Sequence, residues 1–190
     1  DISAGIDCSI DVNVILEGNI KLGDNVSIGP NTLLKDVVIG DNTVIEAFSH
    51  LVSSKIGNDC NIGPYARLRE GSFIDDGAKI GNFVETKKTT IGKKSKANHF
   101  SYLGDAEIGE DTNIGAGSIT CNYDGKEKHQ TKIGNKSFIG TNSSIVAPVN
   151  IGSNAYIAAG SVITKDVPDD SLGVSRSKQN NIEDWSKKEK

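Results

Sequence analysis

Ile-Gly recurs through this 190-residue chain at Ile28, Ile39, Ile56, Ile62, Ile80, Ile91, Ile108, Ile114, Ile133, Ile139 and Ile151. Two stretches keep an unbroken six-residue spacing: Ile62, Leu68, Ile74, Ile80, and Ile133, Ile139, Ile145, Ile151, Ile157, Ile163. A period of six fits neither the 3.6 of a helix nor a long two-residue alternation, so each hexad reads as a short strand and a turn. The aliphatic residue points inward and the adjacent glycine relieves the corner. Three such sides close a triangular coil of about 18 residues, and successive coils stack at the ~4.8 Å of paired strands. The fold class expected is therefore all-β, a parallel β-helix over residues 1–165, in roughly eight or nine coils. With aromatics at 5% and no methionine, a large aromatic core is excluded.

Two regions break the period. Ile108 to Ile133 is longer than one coil, which places an inserted loop at 121–132 (CNYDGKEKHQTK). After Asp166 the hexads stop, and 166–190 reads as a polar C-terminal tail carrying the lone tryptophan, Trp185. Excursions from a solenoid are where binding residues collect. The chain enters the repeat at once from Asp1, as an excised piece of something longer would. Its net charge of −4 argues against nucleic-acid affinity, and no apolar run is long enough to span a membrane. Cys8, Cys60 and Cys121 form neither a zinc knuckle nor a CxxC pair, and the odd count suits a reducing cytoplasm.

Residues one coil apart are stacked neighbours, so spacings near 17 or 18 mark ladders along the axis. Arg69 and Lys87 form one, in the stretch 67–96 whose local charge is positive. Two stacked cations suit a phosphate, Arg as a bidentate fork and Lys as a point charge; a solvated basic face is the other reading. His99, Ala116, Thr141 and Ala159 form a second ladder once the inserted loop is allowed for. A row of small residues with exposed backbone admits a narrow, extended ligand such as the arm of a coenzyme, although small residues are also ordinary at β-helix corners. Of His50, His99 and His129, only His99 heads a ladder and has Lys96, Asn98 and Tyr102 around it. Histidine is the side chain suited to act as a neutral base near neutral pH. The wide separation of the three argues against a zinc site, and no metal is expected.

The stretches IGPYARLREG (62–71), GNFVETKK (81–88), ANHFSYLGDAEIGEDTNIGAGSITCNYDG (97–125), IVAPV (145–149), IAAGSVIT (157–164) and VSRSKQ (174–179) carry a resemblance. They closely resemble the C-terminal acetyltransferase domain of the bacterial bifunctional enzymes that make UDP-N-acetylglucosamine. The hexads resemble the left-handed kind of parallel β-helix. The resemblance implies acetyl transfer from acetyl-CoA to glucosamine 1-phosphate, with His99 as catalytic base and Arg69, Lys87, Tyr102 and Asn113 around the sugar phosphate. It places Ala116, Asn122, Tyr123, Thr141, Ala159, Arg176 and Trp185 along acetyl-CoA. Thr141 stands where related proteins often have serine. The uridylyltransferase domain of that family has no counterpart in this chain. Because the cationic ladder and the small-residue ladder belong to different faces of a thin prism, a homotrimer with sites shared between subunits is expected. A carrier-protein-dependent acyltransferase of the same fold and a non-catalytic β-helix module are the alternatives.

Overall fold

The structure, a computed structural model, describes residues 1–187. It is all-β apart from one 3-10 turn at Trp185–Lys187, and its strands pair in parallel to form a solenoid of about 10 turns. Paired residues are mostly 17 or 18 apart, as at Lys79↔Lys96 and Arg67↔Glu85, and 16 apart at the last coil, as at Tyr156↔Leu172. Across the inserted loop the step lengthens to 25, as at Asn113↔Phe138, without disturbing the ladder on either side.

The hexad rule becomes three inward columns, one for each side of the coil. Ile28, Ile45, Ile62, Ile80, Ala97, Ile114, Ile139 and Ile157 stack on the first. Leu34, Leu51, Leu68, Thr86 and Leu103 stack on the second. Ile39, Ile56, Ile74, Ile91, Ile108, Ile133 and Ile151 stack on the third. All of these side chains are buried. Each isoleucine or leucine among them contributes about 1.5–3 kcal/mol by leaving water. Inward hydroxyls fill the narrower places, and most find a partner on their own or the neighbouring coil, as buried polar atoms usually do, the Ser54 and Thr131 hydroxyls being the exceptions. Ser95 donates to the Gly109 carbonyl at 2.6 Å, Thr112 to that of Gly134 at 2.8 Å, and Ser137 to that of Gly152 at 2.7 Å.

One corner differs from the others. It is occupied by Phe48, Tyr65, Phe83 and Phe100, all at positive φ, and then by Gly117. Phe48 stacks on Tyr65 at 4.9 Å between ring centroids and Tyr65 on Phe83 at 5.4 Å. Left-handed backbone is unfavourable for bulky residues, so the stacked rings sit where turn propensity alone would place Gly or Asn.

The coils run further than the hexads suggest. Val167 bridges to Ile151, and Leu172–Gly173 pairs with Tyr156–Ile157, so the first part of the expected tail is a further partial coil. Sequence reading lost it because Pro168, Asp169 and Asp170 replace the Ile-Gly signature there. The end of that tail, Lys188 to Lys190, lies outside the described residues.

Candidate active site on two sides of an aromatic corner

His99 is the last residue of its side of the coil before the turn at Phe100, within the long strand Lys96–Ile108. Its partner one coil back, on Lys79–Ile91, is Asn82. Their side chains meet, His99 Nδ1 to Asn82 Oδ1, at 3.0 Å. An amide oxygen only accepts, so this contact puts the imidazole hydrogen on Nδ1 and leaves Nε2 with a free lone pair. Asn82 was not singled out from sequence, although its distance of 17 from His99 was the signal that could have found it. A cleft opens there, with Pro64 and Ile80 in its lining beside Asn61, Lys79, Asn82 and His99.

In the other direction the expected small-residue ladder is in register. Ala97 pairs with Ile114, Ile114 with Ile139 and Ile139 with Ile157, which aligns His99, Ala116, Thr141 and Ala159 two residues further on. Asn113 begins the same side, paired with Lys96. Thr141 and Ala159 are exposed and Ala116 is half-buried. At the end of the row the Arg176 guanidinium donates to the Ala159 carbonyl at 2.9 Å, tying the tail to the ladder.

The cations lie past the aromatic corner. Arg67, Glu85 and Tyr102 stack as one column. Leu68 pairs with Thr86 and Lys87 with Gly104, so Arg69, Lys87 and Gly104 form the next. Neither cation is bare. Arg69 Nη1 lies 2.8 Å from Glu85 Oε1, and Lys87 Nζ lies 2.9 Å from Glu70 Oε1. The hydrogen bond from Lys87 holds the Glu70 carboxyl below the usual carboxylate range, and the one that Arg69 donates to Glu85 raises the Arg69 guanidinium further. Glu70 and Glu85 are thus site neighbours that a search for cations passed over.

Beside them, Asn122 is buried and its amide nitrogen donates to the Asp105 carboxylate. A side chain at Gly104 would collide with the Tyr102 hydroxyl and the Asn122 amide. Glycine therefore brings Tyr102, Asn122 and the Arg69–Lys87 column together. Tyr123 is exposed on the inserted loop. Trp185 opens the 3-10 turn at the end of the tail. The twelve sequence-derived positions accordingly fall into separate sets. His99, Asn113, Ala116, Thr141, Ala159 and Arg176 lie on one side of the corner, Arg69, Lys87, Tyr102 and Asn122 on the other, and Tyr123 and Trp185 on excursions. Among the described residues, no three His, Cys, Asp or Glu side chains gather as metal ligands.

Residues 130–165 match the family described as bacterial transferase hexapeptide (six repeats). The chain is 55% identical over 183 residues to the bifunctional protein GlmU of Alkalilimnicola ehrlichii, a match covering 96% of this chain and 40% of that protein. It is 50% identical over 190 residues to that of Marinobacter nauticus, covering 100% of this chain and 42% of that protein. The chain thus spans about two-fifths of the length of the curated relatives it matches. Among solved structures it resembles Arabidopsis UDP-N-acetylglucosamine acyltransferase, with a TM-score of 0.62 and 16% identity over 91% of this chain and 68% of that one. It also resembles a mutant perosamine N-acetyltransferase from Caulobacter crescentus in complex with CoA and GDP-perosamine, with a TM-score of 0.54 and 21% identity over 60% of this chain and 52% of that one. These two likenesses are likenesses of fold. The identity to the curated relatives runs along nearly the whole chain, which corresponds to the C-terminal part, about two-fifths, of the bifunctional protein GlmU.

Proposed function

We propose that the chain transfers the acetyl group of acetyl-CoA to the amine of glucosamine 1-phosphate, giving N-acetylglucosamine 1-phosphate. The observation that carries this reading is the His99–Asn82 contact at the head of the small-residue ladder. It holds a base with its Nε2 lone pair free at one end of a row that suits an extended ligand. The row of Ala116, Thr141 and Ala159, closed by Arg176, fits such a ligand because it offers backbone and short side chains, with one guanidinium at its end. Acetyl-CoA, when bound, supplies a thioester carbonyl whose C–S bond breaks as the C–N bond forms.

His99 Nε2 takes the proton that the attacking amine loses and returns it to the departing sulfur, so the base is regenerated without a covalent acyl-enzyme. Asn82 keeps the imidazole in the tautomer this requires. One N–H of the Asn122 amide is committed to Asp105, and the second remains for the developing oxyanion. Arg69 and Lys87 hold the sugar phosphate by exchanging Glu85 and Glu70 for it. Arg69, Glu85 and Lys87 are half-buried, and a phosphate offering bidentate, charge-assisted bonds would take the place of the two carboxylates on the same cations.

Because His99 and the cations lie on opposite sides of the aromatic corner, the working unit in this reading is a homotrimer with each site between two subunits. The corner supports it: Phe83 and Phe100 are 56% and 71% exposed, and a neighbouring prism would cover them. No helix among the described residues is long and apolar enough to cross a membrane. With the three unpaired cysteines, this supports a cytoplasmic enzyme. The test is thiol release from acetyl-CoA with glucosamine 1-phosphate, glucosamine and glucosamine 6-phosphate as acceptors. Turnover with the first alone supports the reading, and no release with any of the three overturns it.

A further inference from the structure

The inserted loop leaves the coil just after Cys121, and its residues 123–128 are all exposed, so packing does not hold it. Polar contacts hold it instead, and one carboxylate is their hub. Asp124 Oδ1 accepts the backbone N–H groups of Lys126 at 2.8 Å and Glu127 at 2.7 Å, and Asp124 Oδ2 lies 2.7 Å from His129 Nε2. Tyr123 and Lys128 form an antiparallel bridge, and the His129 backbone N–H donates to the Asn122 carbonyl at 2.8 Å. The bonds to Glu127, His129 and Lys126 hold the Asp124 carboxyl below the usual carboxylate range. His129 thus joins the far strand of the loop to both Asn122 and Asp124, across the base of the excursion that carries Asn122 and Tyr123.

We infer that Asp124 and His129 are positioning residues: their side-chain pair clasps the loop so that Asn122 and Tyr123 are presented to acetyl-CoA in one arrangement. The inference rests on the proposed assignment of Asn122 and Tyr123 to acetyl-CoA. Asn122 is then fixed twice, its amide by Asp105 and its carbonyl by the His129 backbone. Tyr123, exposed, is held by its bridge to Lys128 and by the clasp beside it. A loop ordered before the ligand arrives does not charge its ordering to the binding step.

The experiment compares Asp124→Ala, Asp124→Asn, His129→Ala and His129→Gln with the wild-type chain, reading steady-state kinetics in both substrates and amide hydrogen exchange. Asp124→Ala and His129→Ala should raise KM for acetyl-CoA about tenfold, less than the roughly hundredfold that misplacing a reacting group can cost. KM for glucosamine 1-phosphate and the melting temperature should stay near wild type. Exchange at Lys126, Glu127 and His129 should accelerate in Asp124→Ala. Asp124→Asn keeps the acceptor oxygen and His129→Gln keeps a donor, so each should recover part of the loss. Unchanged exchange would remove the clasp. Faster exchange with wild-type KM for acetyl-CoA, or equal rises in both KM values, would overturn the positioning role. An Asn122→Ala control that leaves acetyl-CoA binding intact would overturn the assignment beneath it, and is told apart by exchange data that still report the clasp.

Discussion

A single contact at His99 separates two roles for one imidazole. With Nδ1 committed to the Asn82 oxygen, the outward nitrogen is a base; with the opposite tautomer it would be a donor. His99→Ala should lower kcat by about two to four orders of magnitude with the fold intact, the range for losing a general base. Asn82→Asp keeps the acceptor but adds a charge that favours the imidazolium. The acid limb of its kcat/KM profile should therefore move to higher pH, whereas Asn82→Leu should lower kcat without that displacement. A profile unmoved in Asn82→Asp would remove Asn82 from the positioning of the base. Gly104 offers a second test at this scale. A methyl there meets the Tyr102 hydroxyl and the Asn122 amide, so Gly104→Ala should raise the KM of the sugar substrate several-fold while circular dichroism stays unchanged. His99 was legible in the sequence because it is rare and heads a ladder. Asn82, Asp105 and Glu85 were not, since one polar residue on a solvated coil looks like another until its neighbour one turn away is known.

At the scale of the coil, the hexads were legible because one physical demand repeats: each side buries one aliphatic residue against the same position of the next coil. That made the three inward columns readable from Ile62, Leu68 and Ile74 onward. Where the demand is met by other residues the signal fades. Thr86 and Ala97 stand in two of the columns without belonging to the aliphatic pattern, and the partial coil ending at Leu172–Gly173 has no Ile-Gly signature. Stability should follow the columns. Ile80 is fully buried between Ile62 and Ala97, so Ile80→Ala should cost about 2–5 kcal/mol. A repeat stack unfolds through its neighbours, so the loss should appear as a lower denaturant midpoint. Ile119→Ala, at an exposed position two turns further on, should shift that midpoint far less. Equal shifts for the two would mean that burial does not set the stability of this coil.

Across the whole molecule, the aromatic corner at Phe83 and Phe100 separates the two sets of residues that the proposed reaction would need at one substrate. His99 and the small-residue ladder stand before it; Arg69, Lys87, Tyr102 and Asn122 stand after it. In the proposed reading, one sugar phosphate that meets both a base and two cations would draw them from two chains, and closed threefold packing of triangular prisms would supply that geometry. Complementation follows from it. His99→Ala and Asn122→Ala proteins are each expected to be nearly inactive alone. Dissociated, mixed and reassembled, they form trimers in which some interfaces carry both mutations and others carry neither. The unmutated interfaces should restore a measurable fraction of wild-type turnover. The pair His99→Ala with Arg176→Ala provides the contrast, because both residues lie on the same side of the corner and both mutations would enter an interface through the same face. In a mixed trimer each interface would then carry one mutation or the other, and no rescue should occur. Sedimentation at the trimer mass, together with rescue in the first mixture and not in the second, is the expected result. A monomer in sedimentation, or equal behaviour of the two mixtures in demonstrably mixed trimers, would overturn the shared site.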